Sequence, residues 1–575
     1  MGSFIVVARM PGESVEGVQD RCSRALEVFQ QKELRLDARL VRDGFVAFRY
    51  RKLFARHESL LEFDNGDFIF ATGTFIYDGA TGRQALSRFF SDRSAGRPTE
   101  KKTAGNFTLV IYADATLRVM SDYCGYHPVY HHQPSGAVSN SFLALARMSP
   151  QRRLHPQALH EYLLHGFFAG RETLLDGIEV LDSDRLWQVM PSSGSSAREP
   201  AFDPLPDSPE FAALVEAVSA EFADYFSQLA GAFPDRIGSA LSGGYDSRHM
   251  TALLSGTGVP RYLYVYGGRS SSDVRVALQI AAGEGFEVEH VDKSTFPRVG
   301  PDEFAARVER DFYFFDGIKP VGLLDDGSDM ATRLQRAQYA QLQLNGAGGE
   351  IYREIWNIGD RSIDLRTFLR LRFDRGAYDF LRAPFDDHEY FAAFGAKVRS
   401  VLRIERDYIT RREGEMLFPF LRNRFARSNN LSNAQISDSL LPFMETRFVF
   451  PSFDIPIRYK YAGQFHAALI RAASPAIARY GSDYGINFSD PVPLAYQVRR
   501  WIERGIPPAA RLLARRSKPG KPLARPYYLG EEFVSRLVKL ESMAMSEFVD
   551  FSAIDDPELY SRAVSVELLL RDKVG

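Results

Sequence analysis

Ser239-Ala240-Leu241-Ser242-Gly243-Gly244-Tyr245-Asp246-Ser247-Arg248 is the stretch on which the reading of this chain turns. The apolar residues from 237 to 241 have strand character, and Met250, Leu253 and Leu254 recur at helical spacing after it. The Ser-Gly-Gly turn therefore joins a strand to a helix N-terminus. Glycines allow a ligand close to the backbone, and free N–H groups with the helix dipole favour an anion, phosphate above all. Ser242 and Ser247 add hydroxyl donors. Asp246 is itself an anion and cannot bind phosphate directly, but it can hold a Mg²⁺ that bridges phosphate oxygens. No Gly-x-x-x-x-Gly-Lys-Ser/Thr string occurs, which excludes a Walker-type loop.

The surroundings repeat the strand–helix pattern. Phe211, Leu214, Val215, Val218, Phe222, Phe226 and Leu229 form one helical stripe ahead of the loop. Residues 262–266 read as a second strand, closed by Gly267 and Gly268, with Asp273 capping the next helix. Residues 286–291 read as a third strand. A fourth, 342–345, ends in Gly346-Ala347-Gly348-Gly349-Glu350. Alternating strands and helices predict a parallel, doubly wound α/β sheet, with ligands at the C-terminal strand ends.

The full string Ser-Gly-Gly-x-Asp-Ser resembles the pyrophosphate loop of the ATP pyrophosphatase families, which include asparagine synthetase, β-lactam synthetase and the lasso-peptide cyclases. The resemblance implies cleavage of ATP between the α- and β-phosphates. It implies nucleotide binding by Leu241, Ser242, Gly243, Gly244, Asp246, Ser247, Tyr266 and Gly346, with Leu241, Tyr266 and Gly346 around adenine and ribose. The family carries a Gly-x-Gly-x-Asp turn where this chain has Gly346 to Glu350, so Glu350 takes the place of the second Mg²⁺ ligand beside Asp246. Leu441-Pro442-Phe443-Met444-Glu445 resembles the family's Pro-Phe-Leu-Asp segment, which supports the active site, with Glu445 for aspartate. Two departures stand out. Ala347 replaces the residue credited with proton transfer, and the late lysine has no clear match near 479–485. Lys460 or Arg479 would supply that charge, and Arg248, Lys319, Tyr352, Arg353 and Glu354 are further candidates near the nucleotide.

The first two hundred residues read differently. Residues 4–8 form a strand, Val18, Cys22, Ala25, Leu26 and Phe29 mark an amphipathic helix, and strands are expected at 44–49, 67–72, 107–112, 117–121 and 129–132. Strand-rich sequence of this kind predicts antiparallel sheets. Gly105-Asn106-Phe107, the run from Ser121 to Tyr130 and Ser139-Asn140-Ser141-Phe142 resemble the N-terminal glutaminase domain of asparagine synthetase, an Ntn-hydrolase-like αββα sandwich. That chemistry needs a cysteine directly after the initiator Met. Here position 2 is glycine, and Cys22 and Cys124 are read as packed thiols, so the fold is expected without glutamine hydrolysis. His160 and His165 lie about 140° apart on a helix and do not share a face. His131 and His132 point to opposite sides of a strand. None of these histidines is read as a metal ligand.

With 575 residues, 25% of them charged, a net charge of −2 and two cysteines, the chain is expected to be a cytoplasmic protein of more than one domain. Neither a pull toward nucleic acid nor stable membrane insertion is expected. The Pro191-Ser-Ser-Gly-Ser-Ser stretch reads as a linker. It divides a glutaminase-like domain (1–195) from a synthetase domain (205–490), which is followed by a basic helical extension (491–575). Within 499–525 nine Lys or Arg stand against Glu503 alone, a run read as a solvated surface that could also dock a polyanion, an acidic peptide or a carrier protein. Two functions remain open. One is an ATP- and Mg²⁺-dependent ligase that adenylates a small-molecule or peptide carboxylate for attack by an amine, possible within one molecule. The other is a non-catalytic member that binds nucleotide or a partner. The sequence leaves the oligomeric state open.

Overall fold

The protein, seen in a computed structural model, is described over residues 2–149, 152–190, 192–207, 210–358, 360–382, 385–516 and 524–572. Met1, Pro191 of the expected linker, and Pro519 and Pro522 of the basic run lie outside the described residues.

Two six-stranded antiparallel sheets make up the first part of this mixed α/β chain. One is centred on Ser3–Ala8 and Phe45–Tyr50, the other on Phe68–Gly73, Phe107–Ala113 and Thr116–Ser121. Strand alternation sends Phe4, Val6, Phe45 and Ala47 of the first sheet against Phe68, Phe70, Val110 and Val119 of the second. The opposite faces carry the intervening residues. Ile5, Val7, Val46 and Phe48 pack under Ala25, Leu26 and Phe29. Ile69, Ala71 and Leu109 pack under Ala85, Leu86 and Phe89 of Gly82–Ser94. The layers therefore run helix, sheet, sheet, helix. Gly2 is buried, and a Cβ there would meet the Arg51 carbonyl oxygen at 3.0 Å.

The expected linker is instead the far side of a β-hairpin. Gly194–Ala197 pairs with Arg185–Met190 and extends the second sheet, so the boundary drawn at 195 falls inside a strand. Gly-Ser-Ser-Ala has no apolar alternation because the strand is an exposed edge. Both histidine pairs occupy structural positions. His132 bonds Ser135 and Ser149, and His165 sits among Phe167, Phe373 and Phe394.

The second part carries a five-stranded, wholly parallel sheet. Its spatial order is Val288–Val291, Arg261–Tyr266, Ile237–Ala240, Leu342–Leu344, Asp438–Leu440. The first three strands in sequence run outward in one direction and the last two in the other, so strand order reverses beside Ile237–Ala240. A crevice at the carboxyl ends of the strands belongs at such a reversal. Phe211–Ala232 covers one face as its stripe predicts, burying Leu214, Val218, Phe222 and Leu229 against Ile237, Leu342 and Leu440.

Many cross-links weld the two parts. Leu441 N–H donates to Asn106 Oδ1 (2.9 Å), Ser439 N–H to Thr74 Oγ1 (2.9 Å) and Leu53 N–H to the Gln435 carbonyl (3.0 Å). Lys52 pairs with Asp438 and buried Lys32 with Asp316. The end of the chain is not an appended extension. Pro557–Arg571 buries Leu559, Ala563, Val564 and Leu569, and Arg562 donates to the carbonyls of Leu163 and Pro320.

Candidate functional site

The loop follows Ile237–Ala240 at the reversal of the sheet, and Gly244 opens the helix Tyr245–Thr257. Leu241 ends the strand: its N–H donates to the Tyr264 carbonyl (2.9 Å), and its side chain is buried with Ala252, Val274 and Ala277. Leu241 is fully buried, so its side chain does not face a ligand. The loop amides have internal acceptors. Ser242 N–H donates to Ser247 Oγ (3.0 Å), Gly243 N–H to Asp273 Oδ1 (2.9 Å) and Gly244 N–H to Ser242 Oγ (3.2 Å). Asp273 is therefore more than the expected cap. Ser271 caps Ser272–Glu284, and Asp273 reaches back to the loop.

A second segment closes over the turn. Arg248 donates to the carbonyls of Tyr480 (2.8 Å), Gly481 (2.7 Å) and Gly243 (3.3 Å), and its guanidinium lies 4.6 Å from the Phe488 ring centre. Burial lowers its pKa to about 10. Asp483 lies so close to Gly243 that a Cβ at 243 would collide with its carboxylate. Its pKa is pushed up to about 6 by a hydrogen bond with Asp273 and by desolvation. Two carboxylates thus crowd the place where the turn would receive an anion.

Asp246 and Glu350 come together as the resemblance implies, but with a guanidinium between them. Arg353 Nη2 donates to Asp246 Oδ1 (3.0 Å) and Oδ2 (3.3 Å), and it lies 3.9 Å from Glu350 Oε2. The guanidinium stands 5.0 Å from the Tyr245 ring centre, and its Nη1 donates to the Tyr484 hydroxyl at 3.3 Å. Burial opposes its charge, but Asp246 and Glu350 more than offset this and raise its pKa. Buried His466 has Nδ1 at 3.7 Å from Asp246 Oδ1, and burial holds its ring neutral. Gly349 is required here, since a Cβ would meet Asp246 Oδ1 at 2.5 Å. These donors do not fit a Mg²⁺ site. Both carboxylates already share the chain's own cation, and among the described residues no cluster of three or more His, Cys, Asp or Glu could hold a metal.

The other expected residues divide. Gly346 is beside the loop, where a Cβ would meet the Asp246 backbone at 3.2 Å. Tyr266 ends its strand with the hydroxyl accepting from Arg336 Nη1 (2.7 Å) and Lys293 5.4 Å from its ring centre. Lys319 pairs with Asp329 at 2.9 Å, and Tyr352 is buried beside Phe465. Arg479 is on the surface with Glu284 (2.9 Å). Lys460 is buried, with Nζ bonded to Glu415 Oε1 (3.1 Å) and the Ser452 carbonyl (2.7 Å). Neither of these last two bonds the loop, and Arg248 and Arg353 are the cations that do. Lys460→Met is expected to remove one of the two cations on buried Glu415, leaving Arg411 on its other oxygen, and to destabilise the fold by about 1–3 kcal/mol, as chemical denaturation would measure. An unchanged denaturation midpoint would contradict the pairing.

Glu445 faces away from the loop. Its Oε1 accepts from Gly105 N–H (2.9 Å) and the Tyr225 hydroxyl (3.1 Å), which joins the two parts of the chain. Burial pushes its pKa up to about 7; Arg447 and these hydrogen bonds oppose the rise, and Asp122 adds to it. A carboxyl with a raised native pKa binds its proton more tightly when folded. Its contribution is present below about pH 4.5 and is lost as pH climbs to about 7, on the order of 3 kcal/mol in all. Glu445→Gln is therefore expected to raise thermal stability at pH 8 and to change it little at pH 4.5. Equal shifts at both pH values would contradict this.

No family model and no curated protein matches the chain. Among solved structures, a glutamine phosphoribosylpyrophosphate (PRPP) amidotransferase from B. subtilis, complexed with ADP and GMP, is similar over 50% of this chain and 65% of that one, at 9% identity and a TM-score of 0.23. The match thus spans less than two thirds of that protein's length, and so distant a likeness assigns no residue a role.

Proposed function

We propose that this chain is an ATP-dependent amide ligase that adenylates a carboxylate and takes its amine from the substrate, a second molecule or ammonia rather than from glutamine. One observation carries the reading. The Ser242-Gly243-Gly244-Tyr245-Asp246-Ser247 turn lies at the carboxyl end of a parallel strand, where strand order reverses, with Arg248 and Arg353 bonded around it. In this reading a carboxylate oxygen attacks the α-phosphorus, the bond to the bridging oxygen of the β-phosphate breaks, and pyrophosphate leaves. An amine then attacks the acyl carbon, and AMP departs. The chain would contribute loop amides, the Ser242 and Ser247 hydroxyls and the positive charge of Arg248 and Arg353 to hold the phosphates and offset their charge. Asp273 and the two hydroxyls must give up the amides they hold for phosphate to enter. The double-sheet part would be an Ntn-type domain without a nucleophile, joined to an ATP pyrophosphatase-type domain.

A second reading, a non-catalytic member that binds nucleotide or a partner, is favoured by a different observation. The amides of Ser242, Gly243 and Gly244 are bonded internally, and no titratable side chain stands at Ala347. Carboxylate-dependent ATP–pyrophosphate exchange, across amino acids, peptides and sugar acids, tests the proposal. Exchange with at least one acid supports the ligase. ATP binding without exchange for any acid supports the second reading.

A further inference from the structure

Helix Leu494–Gly505 is amphipathic, and it lies on the protein with its polar side inward. Tyr496, Arg500, Glu503 and Arg504 are half-buried against the body. Leu494, Val498, Trp501 and Ile502, at helical spacings of four, three and one, form a stripe facing solvent. Leu494 is 75% and Trp501 66% exposed. Ile506, and Leu513 on the next helix Pro508–Arg516, continue the apolar surface, with Leu513 70% exposed. An amphipathic helix that packs by its polar face leaves its apolar face for another occupant.

Charge identifies that occupant. The sequence from 494 to 516 carries six arginines and a single acid, Glu503. Arg499 flanks the stripe with 76% of its side chain exposed. A second copy of this chain would oppose arginine to arginine, which disfavours a homotypic contact. An anionic lipid surface matches both features: the apolar stripe enters the acyl boundary, Trp501 sits at headgroup depth and exposed Arg499 meets lipid phosphate, while Arg500, Arg504 and Arg511, turned toward the body, add their field. Among the described residues no helix is long and apolar enough to cross a membrane, so the contact is peripheral.

We propose that Leu494–Gly505, continued by Ile506 and Leu513, docks this protein on an anionic membrane surface. The surface adjoins the candidate site. The Arg504 guanidinium lies 3.7 Å from the Tyr461 ring centre and 3.6 Å from Glu354, the residue after Arg353. Arg511 Nη1 donates to the Asn357 carbonyl at 2.9 Å. Docking therefore sets the segment that follows Glu350 and Arg353 beside the lipid.

The test is co-sedimentation of the full chain with vesicles of phosphatidylglycerol and phosphatidylcholine, or of phosphatidylcholine alone, with tryptophan emission recorded in parallel. Binding to the anionic vesicles is expected to be at least tenfold tighter, to weaken with salt, and to quench Trp501 by brominated lipid, a signal that Trp501→Phe removes. The triple variant Leu494→Ser, Trp501→Ser, Ile502→Ser is expected to lose at least tenfold in binding and to keep its melting temperature, since the three side chains are exposed. The quenching readout decides the matter even if that variant folds poorly. Three results would each overturn the proposal: no binding to either vesicle, equal binding by wild type and a folded triple variant, or a stable dimer in light scattering that the triple variant splits.

Discussion

Gly244→Val is expected to leave the protein folded and to abolish ATP use. Gly244 has φ −80° and ψ 178°, extended backbone open to any residue, and a Cβ there would meet only Ser242 Oγ, at 3.5 Å. Folding therefore does not require glycine at this position. Approach of a pyrophosphate to the amides does, because a branched side chain at the helix entrance would hold the phosphate away from the backbone. Misplacement by about 1 Å costs on the order of 100-fold in rate. Pyrophosphate release should fall by at least that factor, with the melting temperature within a degree or two of wild type. Wild-type release from the valine variant would show that phosphate does not lie against this turn. Gly243→Ala is a poorer probe, since its Cβ would collide with Asp483 and disturb the fold as well.

Arg353→Gln is expected to create a divalent-cation site that the wild-type protein lacks. Two unit charges about 4 Å apart interact by about 4 kcal/mol at an effective dielectric of 20. Removing the guanidinium leaves Asp246 and Glu350 without the charge that now lies between them. The pair is partly exposed, Arg353 by 18% and Asp246 by 23%, so screening discounts that figure. A gain of at least tenfold in Mn²⁺ affinity, about 1.4 kcal/mol, is the expected result in the nucleotide-free protein, read by calorimetry or by the Mn²⁺ resonance signal. Adding Asp246→Asn should remove the gain. Equal Mn²⁺ affinity in wild type and Arg353→Gln would mean that the arginine does not guard the carboxylates.

Much of the fold was legible where burial leaves an apolar trace. The continuous apolar runs within 4–8, 44–49 and 67–72 mark strands that are buried on both faces of a layered sandwich. The stripe from Phe211 to Leu229 marks a helix with one covered side. Gly194–Ala197 escaped because an exposed edge strand made of Gly, Ser and Ala carries no such trace. The loop was legible as a loop, since strand, glycines and helix follow one another directly in sequence. Its partners were not. Asp273 and Asp483 reach it from 30 and 240 residues downstream of Gly243, and a local reading sees a helix cap and a polar turn. Lys460 shows the same difficulty from the other side. Its charge suggested phosphate, but helix Arg411–Ile436 brings Glu415 to it in the interior. Arg353 was only one of several scattered charges until the turn at Gly349 aimed it at Asp246.

The most direct measurement of the central claim, that the turn from Ser242 to Ser247 holds the β- and γ-phosphates of ATP as a leaving group, is incubation of the protein with α-³²P-labelled ATP and a panel of carboxylic acids, followed by separation of the labelled products. The account predicts labelled AMP, dependent on the acid and lost in Gly244→Val. Labelled ADP as the main product would contradict it.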